Sequence, residues 1–297
     1  MRVLLQEDLN FLFTNRLPRR WLSRFMGWFS GVEQPIVRRM SIALWRFFAD
    51  VDLSDAANDD YRSLREAFTR ALRPDARPID PSPDRLVSPC DAIVGAHGAI
   101  EDGRAYQVKG SPYTLRELVG AEAEGFERGR FVTLRLTAGM YHRFHAPHDL
   151  VVEAVTYISG DTWNVNPIAL KRVERLFCRN ERAVVRARLT PDGPVILIVA
   201  VAAILVAGIR FHFLDVPALL RSGAPRRVPL DVPLRRGAEM GWFEHGSTLI
   251  LFAPEGVEFD DAIDVGRQVR VGEPLLRWTV DPRAPGEPQP PAGPDRP

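Results

Sequence analysis

Lysine and cysteine are the scarce residues of this 297-residue chain, with Lys109 and Lys171 the only two lysines and Cys90 and Cys178 the only two cysteines. The cysteines lie far apart, form no Cys-x-x-Cys pair and allow no disulfide framework, which suits a reducing compartment. Their ordinary role is that of small buried hydrophobes. Neither sign of charge is in excess: 39 basic against 38 acidic residues leave a formal net charge of +1, so the one-signed field of a nucleic-acid-binding surface is missing. No long hydrophobic run is present either. The longest apolar stretch, Val195 to Ile209, is 15 residues, short of the roughly 20 that a helix needs to cross a bilayer. Its β-branched content and the glycine near its end predict one or two buried strands. The opening residues, broken by Glu7 and Asp8, lack the sustained apolar core of a signal peptide. No internal repeat is visible.

What is present is a folded chain, 45% apolar, enough for a real core in one large domain or two ordinary ones. From Leu9 to about Leu72 apolar residues recur at helical spacing, as in Trp21 to Phe29. A second helix is predicted from Pro35 through Phe48 and a third from Tyr61 through Leu72. Seven arginines but one acid, Glu33, fall between Arg16 and Arg46, interleaved with Trp21, Phe25, Trp28, Phe29 and Trp45. That composition fits a helix lying in a membrane interface, or an ordinary amphipathic helix packed on a core.

The breaker-rich segment Arg73 to Pro81 marks a boundary. Beyond it, short strand-like runs are predicted at Ala92–Val94, Phe131–Leu136, Val151–Ile158, Ala183–Leu189, Val195–Ile209, Leu249–Phe252 and Val269–Leu276. The fold class expected is α+β, with N-terminal helices on or beside a strand-rich domain. Residues 1–75 form the helical region, 76–280 the second domain, and 281–297, with seven prolines in 17 residues, a disordered tail.

The most informative motif is Gly246-Ser247-Thr248, directly ahead of an apolar run. Alone, it reads most simply as a turn whose hydroxyl bonds the backbone. A serine held against the preceding carbonyl can instead attack it, converting the amide to an ester, and glycine permits the bent approach. Elimination and hydrolysis then leave a pyruvoyl group heading the new chain. The segment resembles the Leu-Gly-Ser-Thr cleavage site of phosphatidylserine decarboxylases, and the likeness continues through Leu251-Phe252-Ala253-Pro254. Three more blocks resemble the same family in the same order: Pro89-Cys90-Asp91-Ala92, the run Tyr141 to Pro147 (Tyr-His-Arg-Phe-His-Ala-Pro), and Phe177 to Arg182 (Phe-Cys-Arg-Asn-Glu-Arg). The likeness covers roughly residues 8 to 280.

The resemblance implies a carboxy-lyase converting phosphatidylserine to phosphatidylethanolamine, cut between Gly246 and Ser247 into two pieces that stay together. It implies a triad for self-cleavage of Asp91, His145 and Ser247, with the carboxylate orienting the imidazole that takes the serine proton. His142 is the group implied for proton handling in decarboxylation. The covalent pyruvoyl from Ser247 is the only cofactor implied. With two lysines, neither in a recognisable context for tethering pyridoxal phosphate, a self-made carbonyl is the more economical electron sink. The partners expected are the lipid and a membrane surface, not nucleic acid, with a peripheral location on the cytoplasmic face of the cell membrane; homo-oligomerisation is left open. His142, His145 and nearby His148 also have a spacing that suits metal, but clear third and fourth ligands are missing and no metal is expected. Three departures from the family pattern stand out: Ala92 in place of glycine, His245 in place of leucine, and the lack of an expected glycine in the run Val199 to Ala203. Two other readings stay open: a pyruvoyl decarboxylase of a soluble amino acid, and a lipid-binding relative that never cuts.

Overall fold

The computed structural model describes residues 19–108, 111–190, 193–203, 208–222, 226–244 and 247–279. The tail expected over 281–297, and both His245 and Gly246, lie outside the described residues. The helices are Arg19–Phe29 (α1), Pro35–Ala49 (α2), Leu64–Phe68 (α3), Leu115–Val119 (α4), Pro167–Arg172 (α5), Leu176–Arg179 (α6) and Val216–Ser222 (α7). In the first part of the chain the strands are Arg85–Val87 (β1), Ala92–Ile100 (β2), Arg104–Val108 (β3), Ser111–Thr114 (β4), Gly129–Leu136 (β5), Arg143–His145 (β6), Leu150–Ile158 (β7) and Arg182–Leu189 (β8). They continue with Val195–Ala202 (β9), Ile209–Phe211 (β10), Arg227–Leu234 (β11), Glu239–Phe243 (β12), Ser247–Ala253 (β13), Val257–Phe259 (β14), Gln268–Val269 (β15) and Pro274–Trp278 (β16). The fold is α+β, a small helical front on a strand-rich body.

The body is organised by an eight-stranded sheet of order β11-β7-β8-β9-β13-β5-β2-β15, in which every described ladder is antiparallel. Strand β13 sits between β9 and β5 and is buried at all its positions. A strand covered on both faces reads as a continuous apolar run rather than an alternating one, as Leu249 to Ala253 does. The β11 edge alternates exposed and half-buried residues and carries Pro229 and Pro233, which lack an N–H and blunt an edge against further pairing. A second sheet, β10-β12-β6, lies beside the first, and Phe144 of β6 packs 5.2 Å from Phe243 and 5.6 Å from Phe211.

The predicted strand Val269–Leu276 is instead two strands, β15 and β16, separated by a turn at Gly272. There φ is +88° and an added Cβ would sit 2.4 Å from the Pro78 carbonyl oxygen. The predicted helix Tyr61–Leu72 shortens to α3 because Ser63 is extended and caps it, accepting from the Glu66 N–H, while Leu72 turns back to bridge Ala56. Helix α2 begins at Pro35 after Gln34, whose side chain accepts from the Val37 N–H at 2.8 Å, and ends at Asp50 in the left-handed region. The helical front is tied down by specific bonds: the Arg65 N–H donates to the Ser30 carbonyl at 2.8 Å, its guanidinium to that of Gly27, and the Trp45 indole N–H to Ala138 at 2.9 Å.

The block Phe177 to Arg182 serves the fold. Arg182 is 4% exposed, and its guanidinium donates to the carbonyls of Leu118 (2.6 Å), Cys178 (2.8 Å), Asn180 (2.8 Å) and Glu117 (3.0 Å). One cation thereby satisfies the ends of α4 and α6 against β8. Arg182→Met keeps the apolar stem but strips four buried carbonyls of their donor. It is expected to cost about 3 kcal/mol, read as a fall of roughly 6–12 °C in Tm by circular dichroism.

Candidate active site at the start of strand β13

Ser247 is the first residue of β13, paired with Leu136 of β5 on one side and Ala202 of β9 on the other. It is fully buried, and among the described residues its hydroxyl has no hydrogen-bond partner; the same holds for Thr248. Leaving a buried hydroxyl unpaired costs about 1–3 kcal/mol, and such groups in a native fold call for a reason. The position is held firmly from the β9 side. Asn180 donates from Nδ2 to the carbonyls of Ala202 and Trp163, both at 2.8 Å, and accepts from the Trp163 N–H at 2.8 Å. The Ala202 N–H in turn donates to the Glu181 carbonyl at 2.9 Å.

Ser247 faces a cavity of about 390 Å³ whose walls come from two sources. Met26 of α1, Trp45 of α2 and Phe68 of α3 form one wall, and Leu136 and Ala203 at the strand ends form part of the other. The helical front therefore closes over the serine. The cavity is mostly apolar, and Arg135 of β5 is the one charged residue among the described residues that line it.

The predicted partners of Ser247 are distributed as follows. Asp91, immediately before β2, is 7% exposed and accepts from Arg77, at 3.0 Å from Nε and 2.5 Å from Nη2, and from the Val271 N–H at 2.9 Å. Arg77 also reaches Asp55 at 2.6 Å. His145, the last residue of β6, places Nε2 3.0 Å from the Tyr141 hydroxyl and Nδ1 2.9 Å from the Gly237 carbonyl oxygen. The carbonyl can only accept, so Nδ1 carries the proton and Nε2 is the basic nitrogen, receiving the Tyr141 hydroxyl. Burial lowers the His145 pKa below 6.5, against the smaller opposing pull of the Gly237 bond and of Glu239 and Asp91. The imidazole is thus neutral at physiological pH. No hydrogen bond among the described residues joins Asp91, His145 and Ser247 to one another; each of the first two is satisfied by its own neighbours.

His142 is fully buried, with Nδ1 2.8 Å from the Met140 carbonyl oxygen and its ring 4.0 Å from that of Phe68. It therefore lies just behind the cavity wall. Its carbonyl accepts from the Phe243 N–H at 2.9 Å, which ties it to β12 a few residues ahead of Ser247. His148 points elsewhere, its ring nitrogens 3.1 Å from the carbonyl oxygens of Asp149 and Pro83. Cys90 is fully buried, and burial pushes its thiol well above the usual range; burial likewise raises Cys178 to about 11. Both are poor nucleophiles. Ala92 is buried in the first position of β2.

Several site residues escape a reading of the sequence alone. Arg77 sits in the breaker-rich segment, where nothing marks it as the partner of Asp91. Asn180 and Tyr141 fall inside recognised blocks, but their bonds follow only from the fold. Arg135 looks like any polar residue in a half-buried strand.

The chain matches the family model of phosphatidylserine decarboxylase over residues 64–277. It is 35% identical over 282 residues to the phosphatidylserine decarboxylase proenzyme of Dickeya dadantii (strain 3937), covering 91% of this chain and 92% of that protein. It is 36% identical to the proenzyme of Bordetella pertussis (strain Tohama I), covering 91% and 94%, and 34% identical to that of Shewanella frigidimarina (strain NCIMB 400), covering 91% and 98%. A family match over most of the chain, with full-length similarity to proenzymes of one name, settles the membership: the chain belongs to the phosphatidylserine decarboxylase family and is a carboxy-lyase.

Proposed function

We propose that this chain is a proenzyme that cuts itself between Gly246 and Ser247 and then decarboxylates phosphatidylserine to phosphatidylethanolamine at a membrane surface. The observation that carries the reading is the buried, unpartnered Ser247 hydroxyl at the head of a fully buried strand, opening on an apolar cavity. In the cut, Oγ of Ser247 bonds to the Gly246 carbonyl carbon as the amide bond breaks, and its proton passes by way of a base to the departing nitrogen. Loss of the Ser247 α-proton and of the ester oxygen, followed by hydrolysis that releases ammonia, leaves the new chain headed by a pyruvoyl group. Once formed, that carbonyl would supply the electron sink for loss of carbon dioxide.

The roles proposed for the chain's own residues follow from their surroundings. His145, neutral and with a basic Nε2, is the base for the serine proton. Asp91, held by Arg77 and Val271, is the negative charge that favours the imidazolium at that step. His142, against Phe68 in the cavity wall, handles the proton in the lipid reaction.

Membrane contact is proposed for the helical front, residues 1–75, with residues 76–280 as the catalytic domain. Helix α2 has no buried residue, and Ile36, Met40, Leu44, Phe47 and Phe48 recur along one side of it, with Phe47 81% and Phe48 73% exposed. Arg38, Arg39 and Arg46 flank this stripe. An apolar face of that size rimmed by cations fits insertion into the boundary between head groups and acyl chains. Among the described residues, no helix is long and apolar enough to cross a membrane. The same helices wall the Ser247 cavity, so a lipid leaving the bilayer has a short apolar path to the serine. The proposed location is peripheral, on the cytoplasmic face.

Three outcomes are expected. On denaturing electrophoresis, purified protein gives a piece of residues 1–246 and one of 51 residues (297 minus 246), while Ser247→Ala and His145→Ala give one uncut chain; normal processing of either variant defeats the assignment. Because burial depresses the His145 pKa, the base stays unprotonated as pH falls through 6.5. The rate of self-cleavage, followed by stopped time points across pH, should hold at that pH and fall only at lower values. A midpoint above 6.5 contradicts this. Replacing Phe47 and Phe48 together by Asp removes two insertable rings, and partition onto anionic vesicles in a sedimentation assay should weaken by tenfold or more.

A further inference from the structure

Arg135 is anomalous among the half-buried arginines. It lies next to the end of β5, in register with Thr248 of β13 on one side and Ile93 of β2 on the other, and it lines the cavity that Ser247 faces. Other partly buried arginines have evident partners: Arg77 has Asp91 and Asp55, Arg143 has Glu239, Arg210 has Glu244, and Arg182 has four carbonyls. Among the described residues Arg135 has neither an ion pair nor a hydrogen bond. Burial pulls its pKa down and no neighbouring carboxylate raises it. A desolvated, unpaired cation is costly, and an anion brought by a ligand would offset that cost.

Gly95 occupies the bulge in the ladder between β2 and β5, and a Cβ built there would lie 3.4 Å from Arg135 Cγ and 3.5 Å from Cδ. The arginine stem therefore lies against the sheet at this bulge, at ordinary van der Waals distance.

We propose that Arg135 binds the phosphodiester of the lipid head group. The inference rests on the decarboxylase reading above. Phosphatidylserine offers two anions to a cation beside Ser247, the serine carboxylate and the phosphodiester, and their fates differ. The carboxylate surrenders its charge as carbon dioxide leaves, so a cation fixed on it stabilises the ground state and slows the step. The phosphodiester keeps its charge from start to finish and is attached one methylene and one oxygen away from the reacting carbon. Arg135 is paired with Thr248, the residue after Ser247, and lines the same cavity as the serine, so its guanidinium can hold the phosphodiester there in bidentate fashion. This contact is equal in ground and transition states, so it contributes to KM and not to kcat.

The test uses matured enzyme and monomeric short-chain phosphatidylserine. Arg135→Gln should cut itself like the wild type, raise KM ten- to a hundredfold and hold kcat within twofold, and Arg135→Lys should recover much of the loss. An unchanged KM, or a loss that falls in kcat, overturns the proposal. Should the glutamine variant fail to fold, the wild type alone decides: a neutral methyl phosphotriester of the same lipid should lose at least tenfold in kcat/KM, and equal turnover of diester and triester refutes the contact. Glycerophosphoserine and inorganic phosphate, tried as competitive inhibitors, distinguish the sources. Inhibition by glycerophosphoserine and not by phosphate marks a site for the head-group diester. Inhibition by phosphate alone marks a general anion site and overturns the assignment. Failure of the decarboxylase reading has a different signature, an uncut wild-type chain releasing no carbon dioxide from any form of the lipid.

Discussion

Everything in the site depends on the pairing of β13 with β5 and β9. That double ladder fixes the backbone of Ser247 between Leu136 and Ala202 before any catalytic group is considered. A nucleophile on a loop samples many approaches, whereas one at the head of a central strand has its φ and ψ set by the whole sheet. The unpaired hydroxyl costs about 1–3 kcal/mol, but the strand behind it buries Leu249, Ile250, Leu251 and Phe252 completely, at about 1.5–3 kcal/mol each. Core burial outweighs the local penalty several times over, so the fold can hold an unsatisfied serine where relaxation would otherwise find it a partner.

The same ladders govern what a cut at this place does to the molecule. A chain severed ahead of Ser247 keeps β13 locked on both sides, keeps β15 on β2, and keeps β16 between β1 and β14. Residues 247–279 are thus threaded through two sheets, and their release would open the core. Strand placement explains how a new terminus can be created without loss of the fold. The clamp of Asn180 on Ala202 matters for the same reason, since it holds the β9 side of the serine without using the residues next to the bond between 246 and 247.

The amino-acid pattern made much of this legible. The fully apolar runs of β9 and β13 announce buried strands because covering on both faces removes alternation, and α2 is marked by Pro35 at its start. Strand boundaries for β5, β7 and β8 fall within two residues of those expected. The losses have physical causes: β6 and β12 are short and lie beside aromatic packing rather than in a periodic run, and β11 hides behind two edge prolines. At the site, residue types were readable and relations were not. Asp91 and His145 are visible in the sequence as a carboxylate and an imidazole, yet the partners that satisfy them, Arg77, Tyr141 and the Gly237 carbonyl, come from segments 14, 4 and 92 positions away. Local spacing holds no record of such contacts.

The site divides into two dielectric regimes, and the division suits the chemistry proposed. On the β2 and β6 side, carboxylate, guanidinium, phenol and imidazole are each bonded to a neighbour, so charge there is compensated and fixed. Beneath α1–α3 the surroundings are Met26, Trp45, Phe68 and Leu136, with Arg135 the one cation among the described residues. Losing carbon dioxide disperses a localised negative charge, and an apolar wall favours the dispersed form over the carboxylate. A wholly apolar cavity, however, would reject a zwitterionic head group at the door. One uncompensated arginine resolves that conflict if it takes the phosphodiester: the permanent charge of the lipid is neutralised, while the charge that must disappear faces carbon and not a cation.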